Sequence, residues 1–589
     1  MKLETIEAEA GDIPAPARNE DIPTSRSSRW VKRARLPAGL IALLAILIVV
    51  PILLVVVSSL TTETPRPGNL LGSGLTLENF ATILSAGTRQ ALLNSLIVGV
   101  GASILALFIG GLLAFTVART NVPGRRFLYL VGLVPMFLPS YVGALAWAIL
   151  GNPNAGLANI GLKDIGLPAL VNIYNLGGLI FVLGIYYAPY SFLLIHSAFS
   201  LMNPDLEESA AIHGAGTFRV LRKVTLPLAT PAILGSLVLT LVLTLENFPV
   251  AQIIGGAAHI DTLPTYIYRL MNSSPSRGNE GAAVAIALVA LILVITAIQR
   301  KVISSRDFTT VAGKGIKPRQ IDLGAARIPL LVFGIAYFIA AAVLPLATLL
   351  IVALKRSPYT STLTTLFEPG VLSGESFVTA VTSPTVIKAA SNSLIVGVVA
   401  ALAGTILAFV VAYVSNRTNL PGRSLLEYIS MLPLAVPAIV MGLGLLWTWL
   451  ILPVPIYGTL WVMIVAFVAA QMAQGYRSVS GSILQIDNDL EESAMMHGSS
   501  RIGGILRITV PLMRVGLTST FLLLLMLSMR ELTVPLFLFT TDTRLLSIVI
   551  FDNFENGVLQ ASAAISLLYC LVLLILALVT RRFGAADEK

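Results

Sequence analysis

The sequence predicts an all-α integral membrane protein, with twelve transmembrane helices arranged as two parallel six-helix repeats. Three observations carry this. Hydrophobic residues make up 56 % of the 589 residues and charged residues 12 %, about half the charge fraction of a typical soluble domain. The apolar residues gather into runs long enough to cross a bilayer. Motifs also recur along the chain at a fixed spacing. The same composition excludes a disordered chain, which needs low hydrophobicity and high charge.

A helix needs about 20 apolar residues to cross the hydrocarbon core. Runs of that kind lie near 36–60, 90–118, 127–150, 176–200, 231–256 and 281–300, then near 328–354, 389–415, 425–452, 457–480, 513–540 and 558–580. The strands of a membrane barrel would be shorter and would alternate in polarity. The first run exceeds the apolar core of a signal peptide, usually about 7–15 residues, and is expected to persist as a span. With the N-terminus placed in the cytoplasm, 29 of the 39 Lys and Arg fall on the cytoplasmic side and nine in outer loops. That bias orients both termini inward. The expected organisation is a polar, basic cytoplasmic tail over 1–35, a first repeat over 36–300, a cytoplasmic linker over 301–327, a second repeat over 328–580 and a tail over 581–589.

The repeat is legible residue by residue. Asn94-Ser95-Leu96-Ile97-Val98-Gly99-Val100 recurs as Asn392-Ser393-Leu394-Ile395-Val396-Gly397-Val398, and Arg119-Thr120-Asn121 with Pro123-Gly124-Arg125 recurs as Arg417-Thr418-Asn419 with Pro421-Gly422-Arg423, both 298 residues on. Later matches, such as Glu207 with Glu491 and Pro227 with Pro511, are 284 apart, because the loop near 151–175 is longer in the first half. Six spans per half is an even number, so the repeats run parallel and are expected to flank a pathway.

After the fourth span of each half comes one polar pattern at one spacing: Glu208-Ser209-Ala210, Gly214 and Val224-Thr225-Leu226-Pro227, then Glu492-Ser493-Ala494, Gly498 and Ile508-Thr509-Val510-Pro511. Asn203-Pro204-Asp205, and Asp487 with Asp489, are helix starts, with a cap and acids at the positive helix end. Gly214 and Gly498 are placed to end those helices in a left-handed turn. A second short helix should follow, carrying Arg219, Arg222 and Lys223 or Arg501 and Arg507, closed by Pro227 or Pro511. Each copy reads as a helix–Gly–helix elbow on the cytoplasmic face, too short to enter the bilayer.

The duplicated elbow resembles the EAA loop of binding-protein-dependent ABC importer permeases (type I); Ser209 and Ser493 stand where that family most often has Ala. The resemblance implies that the elbows are coupling helices that dock on a cytoplasmic ATPase, through Glu207, Glu208, Ala210, His213 and Gly214 and through Glu491, Glu492, Ala494, His497 and Gly498. It implies two copies of that ATPase, which hold the ATP and Mg, a periplasmic or lipid-anchored substrate-binding protein outside, and a bacterial cytoplasmic (inner) membrane as the location. No G-x-x-x-x-G-K-[ST] phosphate loop occurs in the chain: Gly313-Lys314 lacks the upstream glycine. No cofactor of its own, no catalytic residue, no metal site and no nucleic-acid partner are expected. The fused two-half form, with Thr262-Leu263-Pro264-Thr265-Tyr266 and Ser547-Ile548-Val549-Ile550-Phe551, is similar to ferric-iron transport permeases; thiamine, polyamine, phosphonate and sulfate permeases are relatives. Met529-Arg530-Glu531-Leu532-Thr533 departs from the Lys-Glu-Leu-Pro of iron-type permeases.

Charges within spans are costly and mark a path or a partner. Glu246, Asn247 and Gln252 in the fifth span, and Arg530 and Glu531 in the eleventh, are the pathway candidates. Two readings stay open: they line a gate between the halves, or Glu246 and Arg530 form an ion pair across the interface. Tyr186, Tyr187 and Tyr190 are expected to pack or anchor, and His196 to pack. From another class, an ion-coupled secondary transporter also fits twelve spans in two halves, with Glu246 and Glu531 as coupling acids, but leaves the matched elbows without a role.

Overall fold

The computed structural model describes residues 36–69, 74–203, 205–304, 320–357 and 362–585. The 1–35 tail, Pro204, most of the 301–327 linker and the last residues of the 581–589 tail lie outside them. Among the described residues the regular elements are helices, joined by a few isolated backbone bridges.

The first repeat comprises α1 (Leu36–Ser59), α2 (Ala86–Arg119), α3 (Arg125–Phe137), α4 (Ser140–Leu150), α5 (Leu176–Leu201), the elbow helix α6 (Asp205–Ile212), α7 (Thr217–Leu245), α8 (Leu263–Met271) and α9 (Gly278–Ser304). The second repeats the order as α10 (Gly324–Leu354), α11 (Pro384–Arg417), α12 (Arg423–Ala435), α13 (Ala438–Ile451), α14 (Leu460–Ile483), the elbow α15 (Asp489–Met496), α16 (Arg501–Leu512), α17 (Arg514–Arg530), α18 (Leu546–Glu555) and α19 (Leu559–Ala585).

The two-repeat helical architecture matches the expectation; the count of twelve spans does not follow from it. Among the described residues, eight helices are long and apolar enough to cross unbroken, or eleven if each of three bent pairs is one span. The expected run 457–480 is the 24-residue helix α14, which carries Gln471, Gln474 and Arg477 and falls outside those eleven. Expected spans 127–150 and 425–452 are broken, by 93° between α3 and α4 and by 115° between α12 and α13. The breaks fall at Leu138-Pro139 and Val436-Pro437. Proline bars its predecessor from helical geometry, and Leu138 and Val436 are extended.

Other prolines are absorbed. Pro51, Pro227, Pro345 and Pro511 each stand two residues after a five-residue π-turn. A proline lacks the N–H and its ring strikes the carbonyl four residues back; one widened turn moves that carbonyl aside. In the first repeat the helix therefore continues through Pro227. The second arm of the elbow is not a separate short helix but the start of α7, which begins at Thr217 instead of near 231 and ends at Leu245. In the second repeat the arm, α16, bends by 73° into α17.

Small residues let helices close on one another, as packing in lipid requires. A side chain at Gly110 would strike the α5 backbone at Ala188 and Phe192, and one at Gly397 would meet Met529 and Leu525. The halves also exchange elements. α1 and α9 pack together and reach across to α12 and α13, while α10 and α19 reach across to α3 and α4. At Gly444 in α13 a Cβ would overlap the backbone of Pro51 in α1.

Candidate functional site

The elbows are built alike. Asp205 N–H donates to Asn203 Oδ1 (3.0 Å), and Asp489 N–H donates to Asp487 Oδ1 (3.2 Å). Both elbow helices end in the expected left-handed glycine, Gly214 at φ +80° and Gly498 at φ +86°. Ala215 N–H donates to Ala210 O and Gly214 N–H to Ala211 O; Ser499 N–H donates to Ala494 O and Gly498 N–H to Met495 O. This is a Schellman closure in both copies. His213 Nδ1 lies 2.7 Å from Ser209 O, and His497 Nδ1 lies 2.8 Å from Ser493 O.

The two glutamates of each pair part ways. Glu208 and Glu492 are exposed, as are His213 and His497, with Ala210 and Ala494 half-buried. Glu207 and Glu491 turn inward and are 4 % and 8 % exposed. Glu207 Oε1 accepts from Arg119 Nη2 and from Thr225 Oγ1, both at 2.6 Å. Glu491 accepts from Tyr413 OH at 2.6 Å and from Thr509 Oγ1. The open face instead carries apolar residues at matched positions: Leu206 with Leu490, Ile212 with Met496, and Phe218 with Ile502. Ile212 and Met496, the last residues of the two elbow helices, are 84 % and 88 % exposed. In the sequence these six carry no chemical motif, and their common 284-residue spacing is the signal that singles them out.

The pathway candidates gather where α7 and α17 end. Asn247 Oδ1 accepts from Val250 N–H (3.0 Å), and its Nδ2 donates to Tyr187 OH (2.8 Å). Its repeat partner Glu531 accepts from Thr533 N–H (2.8 Å) and Val534 N–H (3.2 Å). Both side chains therefore cap the turn that leaves the helix. Glu246 and Glu531 are half-buried and within electrostatic reach of each other. Arg530 sits in reach of Tyr141, Tyr187, Tyr569 and Cys570, and its buried Nε has no hydrogen-bond partner. The ion pairs among the described residues do not include Glu246 with Arg530. His196 packs against the rings of Tyr129 and Phe192.

The duplicated Asn-Ser motif anchors the next turn. Ser95 Oγ accepts from Leu263 N–H (2.8 Å) and Ser393 Oγ from Leu546 N–H (2.7 Å), at the starts of α8 and α18. Asn94 Nδ2 donates to Asp261 O; Asn392 Nδ2 donates to Asp542 O and Arg544 O.

On the side away from the elbows, a cavity of about 480 Å³ opens between the halves. Gln252 lines it, together with Asn152, Tyr174, Lys355, Glu555 and Gln560. Burial pushes the Glu555 carboxyl above its ordinary value, Asp552 adds to this, and a hydrogen bond from Gln252 opposes it. Burial pushes the Lys355 ammonium below its ordinary value. Neither charge was legible as a site from sequence, since the segments that line the cavity with it are distant along the chain.

Paired repeats around an interface, with a polar cavity at one end and matched elbows at the other, define a two-half membrane permease. Residues 106–307 and 400–585 match the family described as binding-protein-dependent transport system inner membrane component. The chain belongs to that family. It is similar to the ferric transport system permease protein FbpB of Actinobacillus pleuropneumoniae, at 23 % identity over 82 % of this chain and 69 % of the relative. A Haemophilus influenzae protein named as a ferric transport permease, FbpB 1, is 23 % identical over 77 % of this chain and 71 % of its own. The trehalose transport system permease protein SugB of Mycobacterium tuberculosis is 27 % identical over 43 % of this chain and 88 % of its own.

Proposed function

We propose that this chain supplies both halves of the membrane pathway of an ATP-driven importer for ferric iron, with both termini and both elbows in the cytoplasm. Two cytoplasmic ATPases, which bind ATP and Mg, dock on the elbows, and an external binding protein delivers the solute to the opposite face. The observation that carries the coupling role is the matched pair of exposed apolar faces, Leu206, Ile212 and Phe218 against Leu490, Met496 and Ile502. Apolar side chains at matched positions on two polar elbows fit burial against two copies of one partner. For the solute, support comes from extent: the two relatives named for ferric transport align with 82 % and 77 % of this chain, both halves together.

In this reading ATP draws the ATPases together, the elbows follow, and the two halves tilt about the interface lined by Glu246, Asn247, Arg530 and Glu531. The cavity at Gln252 and Glu555 is the entrance. The test is reconstitution with its ATPase and binding protein in vesicles, followed by uptake of radiolabelled ferric iron. Uptake is expected only with ATP on the elbow side. Uptake driven by a proton gradient without the ATPase would establish a secondary transporter instead, and ATP-driven uptake of another solute would remove iron alone.

A further inference from the structure

The inward glutamates hold more than their own helix. Glu207 joins three elements at one carboxylate: the elbow α6, the end of α2 through Arg119, and the π-turn that opens α7 through Thr225. Glu491 does the same for α15, α11 and α16, through Tyr413 and Thr509. The two junctions are chemically unlike. Arg119 is 1 % exposed, and its Nε and Nη1 have no hydrogen-bond partner; besides a contact with Met202 Sδ, the single Glu207 carboxylate compensates it. At the repeat position, Arg417 turns away and donates to the carbonyls of Ile483 and Ile486. Glu491 is left with two hydroxyl donors, and the cation at this junction, Arg501, reaches it only through Tyr413, whose OH accepts from Arg501 Nε at 3.5 Å.

We propose that Glu207 with Arg119 and Thr225, and Glu491 with Tyr413 and Thr509, are positioning residues that lock each elbow to two spans, so that a push on the elbow moves three helices as one body. The first lock depends on a direct ion pair and the second does not. The proposal rests on the reading of the elbows as coupling elements. A Gln at 491 still accepts from Thr509 and bonds Tyr413. A Gln at 207 leaves a buried guanidinium without its counter-charge, which is strongly unfavourable.

The experiment measures radiolabelled ferric iron moved per ATP hydrolysed in vesicles holding the reconstituted importer, with ATPase retention and thermal stability recorded alongside. Glu207→Gln is expected to lower that ratio about tenfold, a typical coupling factor between sites, while Glu491→Gln changes it less than about twofold. Arg119→Gln added to Glu207→Gln removes the orphaned charge and should restore the ratio to within about threefold of wild type. Should Glu207→Gln not assemble, Thr225→Val removes a donor without stranding a charge and is expected to lower the ratio about threefold. An unchanged ratio in Thr225→Val overturns the lock, and equal losses in Glu207→Gln and Glu491→Gln overturn its asymmetry. A wild-type chain that does not retain the ATPase would instead remove the coupling reading beneath it.

Discussion

Replacing Gly214 and Gly498 isolates the backbone geometry of the elbows from their surface. Both sit at positive φ, +80° and +86°, and a Cβ at either would meet nothing within 4 Å. The penalty is therefore conformational and not steric: about 1–2 kcal/mol for an L-residue held in the left-handed region. Each Schellman closure rests on two backbone hydrogen bonds, together worth about 2 kcal/mol net. Alanine thus brings the closure close to balance, and a β-branched residue takes it past balance. Asparagine, which tolerates this region, should retain most of it. The hydrogen bonds that close the two elbows have no residue in common, so the penalties add to about 2–4 kcal/mol in the double variant. The expected order for ATPase retention and for uptake is Gly, then Asn, then Ala, then Val, checked by co-purification and by vesicle uptake with single and double variants. A Gly214→Val, Gly498→Val chain that retained the ATPase and transported at the wild-type rate would refute the reasoning. Equal losses for Asn and Val would place the effect in side-chain contact with the partner instead.

Ser95→Ala and Ser393→Ala each strand a buried N–H, of Leu263 or Leu546, and should cost about 1–3 kcal/mol; thermal unfolding in detergent reads this, and unchanged midpoints would mean the turns are held otherwise. Exchanging Glu246→Arg with Arg530→Glu should not rescue the single variants, since the two side chains do not pair; uptake at the wild-type level in the exchange would restore the ion pair. Glu555 holds its proton to higher pH than an ordinary carboxylate, so its charge is lost earlier on acidification. If that charge receives solute, uptake falls as external pH drops, and Glu555→Gln flattens this acid limb; an acid limb that persists in the variant places the titrating group elsewhere.

Much of this molecule was legible residue by residue, because the relevant properties are local. Hydrophobic run length placed the chain in the bilayer, and fixed spacing revealed the duplication. The chemistry of a glycine after a capped, acidic helix start predicted the elbow turns that Gly214 and Gly498 make. What stayed hidden depends on partners distant in sequence. Nothing near Glu207 says that Arg119, 88 positions earlier, will draw its carboxylate inward while Glu208 faces out. Pro227 reads as a helix stop, yet a π-turn absorbs it, whereas Pro139 and Pro437 follow an extended residue and break their spans. Glu246 and Arg530 read from sequence as two charges within spans, and the packed helices set them beside different neighbours, Glu531 for one and Tyr141, Tyr569 and Cys570 for the other. Composition and spacing thus determined the class of the protein, its repeats and the position of the elbows. The tertiary structure alone decided that α1 and α10 cross to the opposite half, which glutamates anchor and which faces stay open, and where Gln252, Lys355 and Glu555 meet around a cavity, because each is a contact between segments that no local pattern encodes.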